Sequence, residues 1–273
     1  MHTEVPFRLV GGYRPLIVVS ARFNGSEPLD CALATGASHA MLLPEVGARL
    51  GIRVEETRQA QGAGGTLQVQ IGRARSIELG DAVARDVPVL MTPDLRRIGD
   101  AIGARLAGNL GHSFLSRFRM TVDYTRAMLT LATPDEPLDP RPARAALPFT
   151  LAHPSKPLIL IPVGINGPSC QFALDTGAST TVISPELALR VGAEGRAMPG
   201  MSGGGGTVTA AAAVVPSLAI GRVSLSQVRI AVADFHGPLA QVLGARLDGI
   251  IGYNVLRRFR VTIDYPGATL RLE

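Results

Sequence analysis

The sequence has no tryptophan, few aromatic residues (4%) and a single lysine, Lys156, among its 27 basic residues. Arginine therefore supplies almost all of the positive charge behind the formal net charge of +5, and the arginines are scattered along the chain. Nucleic-acid-binding domains usually cluster basic and aromatic side chains on a recognisable motif. No such motif is present, so we interpret the charge as a solvated surface and expect no nucleic-acid partner.

Long hydrophobic runs are also missing. No stretch approaches the roughly 18 consecutive apolar residues of a membrane-spanning helix, so no transmembrane segment is expected. The first residues, Met1–Val5, do not resemble a signal peptide. The chain is either cytoplasmic or begins after a removed leader; both remain open, and a periplasmic or secreted location is our working expectation.

What the sequence does contain is an internal duplication. Residues 175–179 read DTGAS and residues 34–38 read ATGAS, an offset of 141, which becomes 142 upstream of the first loop. The same offset of 141 aligns further residues, among them Pro44 with Pro185, Gly51 with Gly192, Gly111 with Gly252, Phe118 with Phe259 and Tyr124 with Tyr265. A repeat this long is a whole lobe rather than a solenoid unit of about 20–50 residues.

The duplication predicts the domain organisation. A chain of 273 residues suits two lobes of roughly 100–150 residues, each with its own core. We place them at residues 1–133 and 146–273. Residues 134–145, rich in proline and charge, read as the linker between them.

Local patterns in the second copy predict mostly strands. The 31 glycines and 20 prolines indicate many short strands joined by turns. One apolar strand, residues 170–174, leads directly into Asp175. Ser184 and Pro185 then form an N-cap and first-turn signal for a short helix that stops at Gly192. We therefore predict an all-β fold with one short helix per lobe.

Glycine-rich tracts occur at equivalent places in the two copies, at residues 62–66 and 202–207. Their central glycines, Gly64 and Gly65 in the first copy and Gly204 and Gly205 in the second, suit hairpin tips that approach a bound peptide backbone. Loose surface turns are the alternative reading.

The cysteines and histidines suggest no further chemistry. Cys31 and Cys170 are not at equivalent positions of the repeat, so we expect two buried free thiols rather than a disulfide. No cluster of His, Cys, Asp and Glu has metal-site spacing, and no glycine-rich loop precedes a helix as a phosphate site requires. We expect neither a metal nor a cofactor.

Asp175-Thr176-Gly177 follows an apolar strand, and Asp248-Gly249-Ile250-Ile251-Gly252 comes later in the chain. Both elements are duplicated. Together they resemble the retropepsin and pepsin-like aspartic protease superfamily. The resemblance covers nearly the whole chain, once per lobe. It implies two pseudo-symmetric retropepsin-like β-barrel lobes with the active site between them. It also implies a peptide or protein substrate under paired flaps, with Gly64, Gly65, Gly204 and Gly205 at their tips.

The resemblance assigns roles to the two loops. Asp175 matches a catalytic aspartate, and Ala34 stands where the second aspartate belongs. Thr35 and Thr176 match the threonines that brace the loops across the junction, next to Gly36 and Gly177. Two carboxylates held together share one proton, so that one accepts a proton from water while the other donates. With alanine at 34, this aspartic endopeptidase is expected to be inactive or nearly so.

Two explanations for Ala34 compete. The chain is a natural pseudoprotease that clamps peptides, or an active protease in which aspartate was replaced by alanine. We favour replacement, because residues 35–38 match the other copy completely. His39 has no expected role as a substitute base. We expect a monomer, since the first lobe already occupies the face that a second Asp175 would need.

Overall fold

The structure, a computed structural model, describes residues 1–234 and 246–273; residues 235–245, within the predicted second lobe, lie outside the described part. Strands account for 55% of the described residues and helices for 11%, in two lobes. This confirms the predicted all-β class.

The first copy contributes eleven of the described strands and three helices. These are β1 (His2–Pro6), β2 (Arg8–Val10), β3 (Leu16–Phe23), β4 (Leu29–Leu33), β5 (Ala40–Leu42), α1 (Pro44–Arg49), β6 (Val54–Gly62), β7 (Gly65–Leu79), β8 (Ala82–Met91), α2 (Asp94–Ile102), β9 (Gly108–Leu110), α3 (His112–Leu115), β10 (Arg119–Asp123) and β11 (Met128–Ala132).

The second copy repeats the strand pattern, and residues 133–144 between the copies form no helix or strand. Its elements are β12 (Ala145–Pro148), β13 (Thr150–His153), β14 (Lys156–Ile165), β15 (Ser169–Leu174), β16 (Val182–Ile183), α4 (Pro185–Arg190), β17 (Arg196–Gly203), β18 (Gly206–Ile220), β19 (Val223–Ala233), β20 (Gly249–Ile251), α5 (Tyr253–Leu256), β21 (Arg260–Asp264) and β22 (Thr269–Leu272).

Each copy builds an eight-stranded sheet of the same topology. The order is β2-β3-β4-β9-β5-β8-β7-β6 in the first copy and β13-β14-β15-β20-β16-β19-β18-β17 in the second. The sheets curl until β3 also pairs with β7, and β14 with β18, which closes each into a barrel. The strand before the ATGAS loop, β4, pairs in parallel with β9, and the strand before the DTGAS loop, β15, pairs in parallel with β20.

A third sheet joins the copies and fixes their symmetry. Its order is β1-β11-β10-β21-β22-β12, so each copy supplies three strands. At its centre β10 and β21 run antiparallel with Thr121 opposite Thr262, and their hydroxyl oxygens lie 2.9 Å apart. These residues are 141 apart in sequence and therefore equivalent. A pseudo-twofold axis passes between them.

The two strands at the centre of the third sheet, β10 and β21, are buried on both faces. In β21, Val261 and Ile263 are fully buried, and in β10, Met120 and Val122 are buried in the same way. A continuous apolar cluster extends through both copies. Because both faces of the central sheet carry equivalent residues from the two copies, this core holds the lobes at a fixed orientation about the axis.

The helices correct one prediction. The α4 helix begins as expected, since Ser184 Oγ accepts a hydrogen bond from Leu187 N (2.9 Å) and Pro185 starts the first turn. One helix per lobe is wrong, however: among the described residues the first copy has three and the second has two. Two of the unexpected helices, α3 and α5, are four-residue turns, too short for a periodic pattern to reveal.

The α2 helix is the longest of the unexpected ones. It packs the apolar side chains of Ile98 and Ile102 against a small cluster around Val18, Ala32 and Leu106. Its left-handed cap is Gly103, with φ of 68°. The helix therefore covers one end, at Val18 and Ala32, of the sheet face that lies opposite the main core of the first barrel.

Cys31 and Cys170 are both buried and free, which confirms the expectation of two thiols without a disulfide. No helix within the described ranges is both long enough and apolar enough to cross a bilayer.

Candidate active site

The two copies meet where the ATGAS and DTGAS loops face each other across the axis. Thr35 Oγ1 accepts from Thr176 N (3.0 Å) and donates to the Leu174 carbonyl oxygen (2.9 Å). Thr176 Oγ1 accepts from Thr35 N (3.1 Å) and donates to the Leu33 carbonyl oxygen (3.0 Å). Both threonines are almost fully buried, at 0% and 2% exposure. Two of these four hydrogen bonds join the loops to each other, and the other two tie each loop to the strand of the other copy.

Ala34 and Asp175 occupy equivalent places in these loops. Ala34 N donates to the Leu110 carbonyl oxygen and Asp175 N to the Ile251 carbonyl oxygen, both at 3.0 Å. A Cβ atom on Gly177 would lie only 2.7 Å from the Ala34 Cβ atom. Only glycine permits so close an approach, so positions 34 and 175 lie side by side at the axis.

The Asp175 carboxylate accepts two backbone hydrogen bonds through one oxygen. Its Oδ1 atom accepts from Gly177 N (2.7 Å) in its own loop and from Gly36 N (2.9 Å) in the loop of the other copy. Burial raises the pKa of Asp175 above its usual value, and these two N–H groups and the Lys156 charge partly oppose that rise.

Lys156, the only lysine in the chain, lies close enough to influence this carboxylate. Its Nζ atom donates to the Gln61 carbonyl oxygen (2.7 Å), so a second-copy strand reaches the first glycine-rich hairpin. Burial lowers the pKa of the ammonium group, and the Asp175 charge works in the opposite direction. No role was predicted for Lys156, although a lone lysine at the start of a strand is a signal visible in the sequence.

The predicted flap glycines lie at the tips of two hairpins that touch. Hairpin β6–β7 carries Gly64 and Gly65, and hairpin β17–β18 has Gly204 and Gly205 in its turn. Gly64 N donates to the Gly204 carbonyl oxygen (2.8 Å), which bridges the tips. Gly65 and Gly205 have φ values of 137° and 88°, which other residues rarely adopt. The structure thus brings all four glycines together.

The α2 helix holds the second hairpin tip. Asp94 Oδ2 accepts from Gly205 N (3.0 Å), and Arg97 donates to the carbonyl oxygens of Gly206 (2.8 Å) and Gly203 (2.5 Å). Asp94 and Arg97 also form an ion pair at 2.7 Å. Neither residue was predicted from the sequence, because each contact joins segments more than 100 residues apart.

The histidines make no hydrogen bond to Asp175 among the described residues. His39 Nδ1 lies 3.0 Å from Ser38 Oγ, and burial, followed by the charges of Arg58 and His112, lowers its pKa. His112 packs edge-on against Tyr265, with ring centroids 5.4 Å apart. Across residues 1–234 and 246–273 no group of three metal-ligating side chains comes together.

Two equivalent strand-to-loop turns, braced by threonines at a pseudo-twofold axis beneath paired hairpins, define the aspartic-protease class of site. The sequence profile of the aspartyl protease family matches the chain twice, at residues 19–114 and 161–255, which is more than half of its length. The chain therefore belongs to the aspartyl protease family and is a duplicated, two-lobed, retropepsin-like member. No individual curated protein matches it. The family is one of peptidases that act on peptide substrates.

Proposed function

We propose that the chain is an aspartic endopeptidase that lacks one of its two carboxylates. An extended polypeptide binds between the lobes, residues 1–133 and 146–273, which residues 134–145 connect in a monomer. The hairpins tipped by Gly64, Gly65, Gly204 and Gly205 cover it. With Ala34 in place, peptide hydrolysis is absent or nearly so.

The observation that carries this proposal is the hydrogen bond from Gly36 N to Asp175. Gly36 lies two residues after Ala34, as Gly177 lies two residues after Asp175. A carboxylate at position 34 would therefore have its own loop N–H available. In this chain that N–H is directed across the axis to Asp175 Oδ1 (2.9 Å) instead. This N–H group supports the proposal that an acid belongs at position 34.

With both acids present, the chemistry is general acid–base catalysis of water addition. One carboxylate is ionised and takes a proton from the attacking water, whose oxygen bonds to the peptide carbonyl carbon. The other is protonated and gives its proton to the carbonyl oxygen. Collapse of the tetrahedral intermediate then breaks the C–N bond as the amine takes up a proton. Asp175 alone can fill either role but not both at once.

The environment of Asp175 fits a group that exchanges protons. Burial raises its pKa, whereas Gly36 N, Gly177 N and the Lys156 charge favour the ionised form. A pKa that burial and specific partners shift in a cleft is typical of functional sites. Without a second carboxylate there is no shared proton, and a general acid or base is worth about 10²–10⁴-fold in rate.

We further propose that Ala34 stands in place of an aspartate that was replaced. In support, Thr35 keeps both cross-copy bonds and Gly36 keeps an N–H directed into the site. A peptide-binding pseudoprotease remains the second candidate, favoured by the closed hairpin tips, which need no catalysis to hold a strand.

The test is an Ala34→Asp chain, with Ala34→Asn as the matched control. Asparagine has nearly the same shape but cannot exchange a proton. Cleavage of a denatured, unlabelled protein is followed by mass spectrometry from pH about 3 to 8, because the active form requires one ionised and one neutral acid. A pepstatin-type inhibitor serves as the second control.

The expected result is cleavage by Ala34→Asp at least about 10²-fold faster than by Ala34→Asn, with a bell-shaped pH profile and inhibition by the pepstatin-type compound. Equal activity of the two variants would contradict the endopeptidase proposal. If the unaltered chain then captures unfolded peptides, the clamp function is the correct one.

A further inference from the structure

A row of side chains crosses the second barrel on the face opposite its core. The strand register places Leu160, Ala173, Ile250, Val182 and Ala231 side by side, in that order, across five strands. All five belong to one apolar cluster. The row thus forms a continuous apolar strip beside the Asp175 loop, which directly follows β15.

This strip faces the cleft. The same cluster includes Ala63, from the tip of the first hairpin, and Met198 and Met201, from the second. The next residues along the two central strands, Leu174 and Ile251, point the other way into the main core. The strip therefore lies between the barrel wall and the hairpins that cover the site.

The first barrel has the equivalent row with one change of chemistry. Val18, Ala32, Asn109, Met41 and Leu90 follow one another in the same register. Asn109 stands where the second copy has Ile250. An amide therefore replaces an aliphatic side chain beside the Ala34 loop.

Asn109 is unusual because its side-chain oxygen has no hydrogen-bond partner in the described part of the chain. The residue is 6% exposed, and its Oδ1 atom is buried without a hydrogen bond among the described residues. Buried polar groups in folded proteins are nearly always paired. The nearby buried threonines obey this rule, since Thr35 and Thr176 use their hydroxyl groups fully. Because Asn109 is equivalent to Ile250, whose cluster includes residues of both hairpins, its amide lies on the sheet face turned toward the hairpins and is suited to a partner on a bound peptide.

We propose that Asn109 is a specificity-determining residue that binds a hydroxyl or amide side chain of the substrate on one side of the scissile bond. Ile250 accepts an apolar side chain on the other side. The inference rests on the proposed peptide-binding function of the cleft. It goes further by naming the substrate class, which is an extended peptide with one polar, uncharged residue and one apolar residue flanking the cleaved bond.

The neighbours of Asn109 exclude a charged partner. Its row is otherwise apolar, with Ala32 and Met41 directly beside it. A buried charge needs an opposite charge or several hydrogen bonds, and one amide supplies neither. Serine, threonine, asparagine and glutamine each need a single complementary donor or acceptor, which the amide provides.

The test compares peptides that differ only by threonine or valine at one position, because these residues have the same shape. The Ala34→Asp chain is profiled with an octapeptide library, and kcat/KM is then measured for matched threonine and valine peptides. The expected result is a preference of about 5- to 100-fold for threonine on one side of the cleaved bond and for valine on the other.

Two variants assign the preference to Asn109. Asn109→Ile copies the second barrel and is expected to remove the threonine preference. Asn109→Ser replaces the amide with a hydroxyl group, which can also donate and accept a hydrogen bond, and is expected to retain the threonine preference in part. Met41→Leu, a change in the same row without a change of polarity, serves as the control and leaves the preference unaltered. A threonine preference that survives Asn109→Ile overturns the proposal, as does equal cleavage of both peptides.

Failure of the inference and failure of the proposed function give different results. Cleavage by the Ala34→Asp chain without a polar preference overturns only the role of Asn109. Where no variant cleaves, binding of the octapeptide library to the unaltered chain tests Asn109 alone, and enrichment of polar over apolar residues at one position supports it. A chain that neither cleaves nor binds the library overturns both.

Discussion

Replacing Thr35 with valine removes a buried hydroxyl group that joins the two copies and keeps the shape of the side chain. This hydroxyl accepts from Thr176 N (3.0 Å) and donates to the Leu174 carbonyl oxygen (2.9 Å). Thr35 is fully buried, so water cannot take over either bond. Valine therefore leaves one backbone N–H and one backbone carbonyl buried without a partner.

The expected loss of stability follows from those two groups. Each buried group that loses its hydrogen-bond partner destabilises the fold by about 1–3 kcal/mol, so Thr35→Val lowers the free energy of unfolding by about 2–6 kcal/mol. Domains are stable by only about 5–15 kcal/mol in total. By symmetry, Thr176→Val has an effect of similar size, because it leaves Thr35 N and the Leu33 carbonyl oxygen without a hydrogen-bond partner.

The assay is urea unfolding followed by circular dichroism, with two controls. Thr35→Ser keeps the oxygen and loses one methyl group, so it costs about 1 kcal/mol. Thr181→Val removes an equally buried hydroxyl whose one hydrogen bond, from Gly252 N (3.1 Å), stays within the second copy. It should cost about half as much as Thr35→Val, or about 1–3 kcal/mol.

Two results would refute this reasoning. In one, the free energy of unfolding of Thr35→Val is within about 1 kcal/mol of the parent value, which means that the unpaired backbone groups find other hydrogen-bond partners. In the other, serine is as harmful as valine, which assigns the loss to the methyl group and not to the hydroxyl. The cross-copy bonds would then be a consequence of the fold and not one of its supports.

Two further predictions concern Asp175 and the second hairpin. Because burial raises the folded-state pKa of Asp175, the folded chain binds this proton more tightly than the unfolded chain, and stability falls as pH rises from about 4 through the folded pKa. Asp175→Asn removes this fall, so its advantage in Tm over the parent grows between acidic and neutral pH; a constant difference contradicts the argument. Arg97→Met speeds amide hydrogen exchange at Gly205, since the tip loses two hydrogen bonds to its carbonyls. Arg96→Met, which breaks only the exposed pair with Glu45, leaves the exchange unchanged. Equal effects of the two arginine substitutions would contradict the role of Arg97 in holding the hairpin tip.

The sequence predicted the all-β, two-lobed fold and the family because those features depend on local, repeated signals. An apolar strand followed by Asp175-Thr176-Gly177 specifies a sharp turn by itself, and its duplication specifies two of them. The α4 helix was equally readable, since Ser184 and Pro185 form a cap and a first turn without help from distant residues. Signals of this kind can be recognised without knowledge of the tertiary structure.

The contacts of Asp94 and Arg97 with the second hairpin tip could not be predicted, because they form only when the two copies assemble. Arg97 and Gly203 are 106 residues apart, and no local pattern connects them. The α2 helix itself did leave a signal, since Leu95, Ile98 and Ile102 recur at helical spacing. Asn109 was visible as a departure from Ile250 in the other copy, but its burial and its unpaired oxygen required the structure.

The pairing of Asn109 with Ile250 also bears on the direction in which a peptide binds. In a site with two identical halves, an extended peptide makes the same side-chain contacts in either direction. Here the residues at the axis are equivalent, as Thr35 and Thr176 or Thr121 and Thr262 are, whereas Asn109 and Ile250 differ.

One direction is then favoured for any peptide with a polar residue on one side of the cleaved bond and an apolar residue on the other. The reverse direction places the apolar side chain against Asn109 and the polar one against Ile250, so both contacts are lost together. Two mismatches, each of about 5- to 100-fold, multiply when the sites are independent. A peptide with threonine before valine and its counterpart with the order exchanged should therefore differ in rate by more than either single substitution. Fusing the two copies into one chain is what makes this possible, since a mutation in a homodimer would change both halves at once.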